Sequence, residues 1–235
     1  MNPLIHIIEP ERLLLTWQPS DEQAKSRTRR VVAELLSDAE ENTVFRYLVN
    51  TPDFAAAKEA GFQGFPAFDV DTVEFTNSPI ETFIRRLPPR NREDFADFLA
   101  QHRLPSPFDY SDMALLGYTG AKLPSDGFAL VPVFKAEQVP CDYLMEVAGM
   151  RHVYKGNFEG DIAFGDLVSF ESDQDNPVDQ NALLVVCKNQ KIGYVNRALL
   201  ETFHSWLENR QIKATIERIN GKPERRLVYI RINVV

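Results

Sequence analysis

The sequence predicts an α+β protein: a mixed α/β N-terminal domain followed by a small β-barrel with one helix, of the SH3/OB-like kind. Three observations predict it. Up to about residue 132, apolar β-favouring stretches alternate with helix signals. From Cys141-Asp142 onward, short strand-like segments recur with one amphipathic stretch among them, which suggests a small barrel. Between them, Lys135-Ala136-Glu137-Gln138-Val139-Pro140 has the composition of a linker. The expected division is residues 1–134, a linker at 135–141, and residues 142–235.

Taken in order, Leu13–Trp17 and Val44–Leu48 read as strands, rich in apolar and β-branched or aromatic residues. Residues 53–60 read as a short helix ended by Gly61. Ser78-Pro79-Ile80-Glu81 combines an N-cap serine, a proline at the first helical position and a glutamate at the third. Ile80, Phe83, Ile84 and Leu87 follow at helical spacing until Pro88-Pro89 stops them. Asn91 can cap a helix bearing Phe95, Phe98 and Leu99. Asp109 or Ser111 can cap the next, with Gly117 as its end. Phe128–Val131 returns to strand. In the second part, the strands are Tyr143–Ala148, Leu167–Phe170, Ala182–Cys187, Lys191–Val195, Ile212–Ile219 and Leu227–Val234. The one helix, Arg197–Glu208, presents Leu200, Phe203, Trp206 and Leu207 on one face.

Composition narrows the function classes. A chain of 235 residues, 44% apolar and 11% aromatic, is long enough to bury cores without disulfides or metals. It has no apolar run of membrane-spanning length, and its broken N-terminus does not read as a signal peptide. Cys141 and Cys187 read as reduced thiols of a cytoplasmic protein. The net charge is −8, yet residues 185–235 carry 10 basic and 4 acidic side chains, so a basic face for phosphate is conceivable at that end.

The chemistry-bearing motifs fail in turn. The chain has no P-loop, dinucleotide-binding glycine pattern, nucleophile elbow, zincin motif or kinase signature. His6, His102, His152 and His204 are scattered and suggest no metal site. Asp173-Gln174-Asp175 has the opening spacing of a calcium loop, but Val178 stands where the turn glycine belongs and Leu184 where the bidentate glutamate belongs. Neither an enzyme active site, a cofactor nor a metal is therefore expected. Arg85, Arg86, Arg90 and Arg92 cluster around Pro88-Pro89. They read either as a solvated corner or as a contact to phosphate or an acidic partner.

The most specific signal is a series of four pieces in order: Val147-Ala148-Gly149-Met150-Arg151-His152, Gly165-Asp166-Leu167-Val168, Asp175-Asn176-Pro177-Val178-Asp179-Gln180-Asn181-Ala182-Leu183, and Lys191-Ile192-Gly193-Tyr194-Val195. This series resembles the HIRAN domain over about residues 142–234. The resemblance implies a β-rich module that binds single-stranded DNA, especially free 3′ ends. It also implies a site in which Arg151 holds phosphate, His152 takes a stacking position and Asp179 accepts from the terminal hydroxyl, with Asn176, Tyr194 and Arg197 beside them. Asn176 and Pro177 read equally well as builders of a rigid loop. Val178 and His152 depart from the aromatic residues usual in the family, which weakens stacking.

A second resemblance concerns the first part. Leu15-Thr16-Trp17, Val32-Ala33-Glu34-Leu35, Phe45-Arg46-Tyr47, Phe83-Ile84-Arg85-Arg86-Leu87-Pro88, Leu115-Leu116-Gly117 and Phe128-Ala129-Leu130-Val131-Pro132 look like the N-terminal subdomain of HipA-type kinases. Its free-standing counterpart is a HipS-like antitoxin piece. The resemblance implies a non-catalytic bacterial regulator that docks on a HipA-like serine/threonine kinase supplied by another chain, with the arginine cluster as a candidate contact. The alternative is a stand-alone DNA-binding adaptor in repair or phage defence.

Overall fold

The computed structural model describes residues 2–19, 28–123, 126–154, 161–222 and 225–235. The chain forms two compact units, Met1–Pro3 with Glu9–Phe134 and Leu4–Ile8 with Lys135–Val235. No helix among the described residues is long and apolar enough to cross a membrane.

The first unit is built on an antiparallel sheet of order β3-β2-β1-β4. Its strands are β1 (Arg12–Trp17), β2 (Arg30–Ser37), β3 (Thr43–Tyr47) and β4 (Ala129–Pro132). The register places Leu13, Leu15, Ala33, Leu35, Phe45 and Tyr47 on one face, all buried. Phenylalanines pack there: Phe45 stacks on Phe68 with ring centroids 4.3 Å apart and lies 5.7 Å from Phe83. Tyr47 ties this layer to the loop, donating from its hydroxyl to the Phe68 carbonyl (2.8 Å) and accepting from the Phe65 amide (2.8 Å). On the opposite face Glu34, only 2% exposed, accepts from Arg12 Nε at 2.6 Å and Arg46 Nε at 2.5 Å. A buried carboxylate is tolerated because two guanidinium groups compensate its lost hydration.

The helices are α1 (Pro52–Glu59), α2 (Pro79–Ile84), α3 (Phe95–Gln101) and α4 (Asp112–Thr119). Three expectations about their ends are corrected. Ser78 does not cap α2 through its hydroxyl, because its backbone is left-handed (φ 46°). Asp94, not Asn91, precedes α3, and Arg92 grips its carboxylate. Gly117 does not end α4, which runs on to Thr119 with Gly120 (φ 73°) at its C-cap. Gly117 is instead a packing residue: a Cβ there would lie 3.0 Å from Leu13 Cδ2 and 3.1 Å from Pro132 Cβ. Of the two candidate caps for α4, Ser111 fills the position, its Oγ accepting from the Ala114 amide at 3.1 Å.

The second unit is a curled six-stranded sheet of order β5-β10-β9-β6-β7-β8. The strands are β5 (Cys141–Glu146), β6 (Leu167–Ser172), β7 (Leu183–Cys187), β8 (Gln190–Tyr194), β9 (Ile212–Lys222) and β10 (Arg225–Val234). The two outer strands meet where Ala148, just past β5, bridges Tyr194 of β8. A short helix α5 (Met150–Val153) follows that bridge. After β8 a 3₁₀ turn, Arg197–Leu199, leads into α6 (Leu200–Asn209). Phe203 and Trp206 of α6 are fully buried, with Phe203 edge-on to Phe170 at 5.0 Å. Cys141 and Cys187 are both buried.

Leu4–Ile8 belongs to this unit although the whole first unit separates it in sequence from the rest. Asp142, 3% exposed, anchors it. Its Oδ2 accepts from the amides of Ile5 (2.8 Å) and His6 (3.2 Å), and its Oδ1 from Asn233 Nδ2 (2.7 Å). Cys141, expected in the linker, is already the first residue of β5, opposite Val234.

Candidate nucleic-acid interface

Two glycines shape one end of the second unit. Gly193 sits at φ 154°, and a Cβ on it would fall 2.5 Å from both the Ala148 carbonyl oxygen and Val147 Cγ1. Only glycine allows this approach, through which Tyr194 and Ala148 exchange two backbone hydrogen bonds of 2.8 and 2.9 Å. Gly149, at φ 67°, turns the chain into α5 and lies against the Tyr194 ring, where a Cβ would come within 3.2 Å of Cδ2. The Ala148-Gly149 and Gly193-Tyr194 motifs are thus two halves of one junction.

From that junction a hydrogen-bonded chain runs across the barrel end. The Tyr194 hydroxyl donates to Asp173 Oδ2 at 2.8 Å, and Asn176 Nδ2 donates to the same oxygen at 3.1 Å. Asn176 Oδ1 accepts from the amides of Val178 (2.9 Å) and Asp179 (3.1 Å), a local turn of the kind asparagine favours. Asp179 Oδ1 accepts from the Asn181 amide at 3.0 Å, and its Oδ2 faces Arg197 Nε at 3.3 Å. Arg197 is held by the 3₁₀ turn, which Asn196 caps by accepting from the Ala198 amide at 3.1 Å.

The protonation states follow from these contacts. Burial and the bond to Asp173 push the Tyr194 hydroxyl above its ordinary value, so it stays protonated and donates. The same bond, with that from Asn176, holds Asp173 below the usual carboxylate range. At the same end Asp179, with 19% of its side chain exposed, faces Arg197, with 32% exposed. At the loop tip Val178 is 57% exposed, an apolar side chain where stacking would favour an aromatic ring.

Four of the six residues expected at a DNA site, Asn176, Asp179, Tyr194 and Arg197, come together here. Arg151 and His152 lie on α5, but their side chains fall outside the described part of the structure. Asn176 uses both polar atoms of its side chain within its own loop, consistent with a loop-building role. Asp173 was legible only as part of a spurious calcium pattern, yet it anchors Tyr194. The contact joins positions 21 residues apart, which local spacing does not reveal. Among the described residues no group of three or more His, Cys, Asp or Glu side chains could hold a metal.

The arginine cluster of the first unit is more dispersed than its spacing suggests. Arg86, with 10% of its side chain exposed, forks onto Asp126 at 2.8 and 2.9 Å and donates from Nε to the Ala121 carbonyl at 2.8 Å. That guanidinium closes a loop within its own unit, which is at odds with its use as a partner contact. Arg90 pairs with Asp112 at 2.6 Å and donates to the Phe108 carbonyl at 3.1 Å. Arg92 pairs with Asp94. Arg85, 79% exposed, makes a long contact, 3.7 Å to Glu81.

Residues 142–235 match the HIRAN domain family model, so this part of the chain is a HIRAN domain. Among solved structures, the chain is similar to the crystal structure of the HIRAN domain of human HLTF. Identity is 20% over 40% of this chain and 74% of that one, with a TM-score of 0.33. No curated protein matches the chain.

Proposed function

We propose that the HIRAN domain of this chain binds DNA as a single strand or a strand end, and that the ligand seats at the barrel end formed by Tyr194, Asn176, Asp179 and Arg197. The observation that carries the reading is the Tyr194–Asp173–Asn176–Asp179–Arg197 chain. It gathers residues spread over 25 sequence positions at one end of the barrel, next to the helix that bears Arg151 and His152. Arg197 and Arg151 supply charge for a phosphate, and Asp179 supplies an acceptor for a sugar hydroxyl. Val178 and His152 offer weaker stacking than larger aromatic rings would, at ~1–3 kcal/mol per base, so phosphate contacts carry more of the affinity. The role is binding rather than catalysis.

Asp179→Ala and Arg151→Ala are each expected to weaken single-stranded DNA binding about tenfold, an order-of-magnitude loss for one charged contact. Thermal unfolding of Asp179→Ala should be little changed, because that partly exposed carboxylate is not in the apolar core. Unchanged affinity in both variants would remove the site.

For the first unit, docking on a HipA-like serine/threonine kinase in an antitoxin-like role is the reading that its sequence resemblance supports. Under the stand-alone reading, the same unit is a scaffold for a DNA-binding adaptor.

A further inference from the structure

We propose that Lys191 is a further nucleic-acid contact of this domain, holding the phosphate about two nucleotides inward of the strand end, so that affinity depends on ligand length. The proposal rests on the DNA-binding reading above and deepens it, by giving the strand a direction away from the end site.

Register is the first argument. β7 pairs with β8 through Leu184 with Tyr194, Val185 with Gly193 and Val186 with Lys191, so β8 carries one extra residue, Ile192, opposite the Val185–Val186 step. In an unbroken strand, residues three apart point to opposite faces. The extra residue cancels that. Leu184 and Val186 are two apart on β7 and share a face, and Tyr194 and Lys191 stand opposite them on the same face. Ile192 is fully buried, whereas Lys191 is exposed. The Tyr194 and Lys191 rows lie roughly 7 Å apart at ~3.4 Å per residue, which is about two rises of a stacked strand at ~3.4 Å each.

Electrostatics is the second. After the bonds from Tyr194 and Asn176, the charge of Lys191 is a further cause that holds Asp173 below the usual carboxylate range. The ammonium is therefore close enough to act on the carboxylate that fixes the Tyr194 hydroxyl. Lys188, the other lysine of this hairpin, is committed to Asp166 at 2.7 Å, while Lys191 is in no ion pair among the described residues.

The third argument is the path. From Lys188 to Arg197 the chain carries three basic side chains and no acidic one, in a protein of net −8. A phosphate backbone is drawn to such a run. Glu171 stands in the Tyr194 row on the far side of Leu184, roughly 10 Å away across two strand spacings. Its charge turns the strand away from β6 and along β8 toward Lys191. A lysine suits the contact, since a compact ammonium on a flexible stem meets a phosphate without demanding one fixed geometry.

The test uses the full chain with a thymidine dinucleotide and a thymidine hexanucleotide, each with a free 3′ hydroxyl, titrated by calorimetry over a range of salt concentrations. The dinucleotide reaches only the end site, and the hexanucleotide also spans Lys191. Lys191→Gln should bind the hexanucleotide about fivefold more weakly and lower its salt slope by about 0.7, the value of one phosphate contact on a single strand. Its affinity for the dinucleotide should equal that of the wild type, which also certifies its fold. A deoxyadenosine hexanucleotide should show the same loss, because a phosphate contact carries no base identity. Lys191→Arg should restore both affinity and slope. If Lys191→Gln weakens both thymidine oligomers equally and leaves the salt slope unchanged, Lys191 acts only by supporting Asp173 and Tyr194, and the proposal falls. No loss with either oligomer also overturns it; continued sensitivity of the dinucleotide to Asp179→Ala would then leave the end site standing. If the hexanucleotide shows the Lys191 effect while Asp179→Ala changes neither oligomer, Lys191 stands and the end site falls. Binding of neither oligomer by the wild type overturns both.

Discussion

Gly193→Ala is expected to destabilise the second unit by about 3 kcal/mol, the scale of a residue forced into a conformation and a space it cannot occupy. The added methyl would meet the Ala148 oxygen and Val147 Cγ1 at 2.5 Å, with φ at 154°. Relief requires moving the Val147–Ala148 backbone away from β8. That breaks the two hydrogen bonds joining the outer strands and removes the support under the Tyr194 ring. DNA affinity and stability should therefore fall together in this variant, unlike Asp179→Ala, where only affinity falls. Thermal unfolding followed by circular dichroism reads the first effect, and a melting point unchanged from wild type would refute the role given to this junction.

Asp142→Ala is expected to cost a comparable amount, on the order of 3 kcal/mol, because a nearly inaccessible carboxylate serves several donors that would be left unsatisfied. Those donors are the amides of Ile5 and His6 and the side chain of Asn233, so the loss detaches Leu4–Ile8 from the barrel. The pH dependence has a definite sign. Burial opposes the charge on Asp142, but the hydrogen bonds from Ile5, Asn233 and His6 outweigh it and hold the group below its ordinary value. A depressed carboxylate contributes stability above its unfolded value, about 3.9, and that contribution disappears as pH falls through the lower folded value. Wild-type protein should thus lose stability on the acid side of pH 4 more steeply than Asp142→Asn. Equal acid profiles for the two would show that the carboxylate does not hold the segment.

The elements were legible where one local period or motif determined them. The six strands and the longer helix of the second part lie within a few residues of their expected positions, because apolar alternation and the amphipathic face of Phe203 and Trp206 are local signals, whereas the short helix Met150–Val153 adds to the one helix expected. Helix ends in the first unit were less legible. Gly117 carries the sequence mark of a terminator, but its small size answers to Leu13 and Pro132, residues distant in sequence. The same limit applies to the site. Asp179, Tyr194 and Arg197 came from the family resemblance, whereas Asp173 needed the fold to bring it under Tyr194. Spacing likewise grouped Arg86 with its neighbours, while the fold turns it onto Asp126. The attachment of Leu4–Ile8 to Asp142 joins positions more than 130 residues apart and has no local signature.

The most direct test of the central claim is fluorescence anisotropy of the purified chain with single-stranded DNA bearing a free or a blocked 3′ end, at two salt concentrations. Salt-sensitive binding that prefers the free end is the expected result, as arginines meet phosphate and Asp179 meets the terminal hydroxyl. Absence of binding to either oligonucleotide would contradict it, and would redirect the barrel end from DNA to a protein ligand.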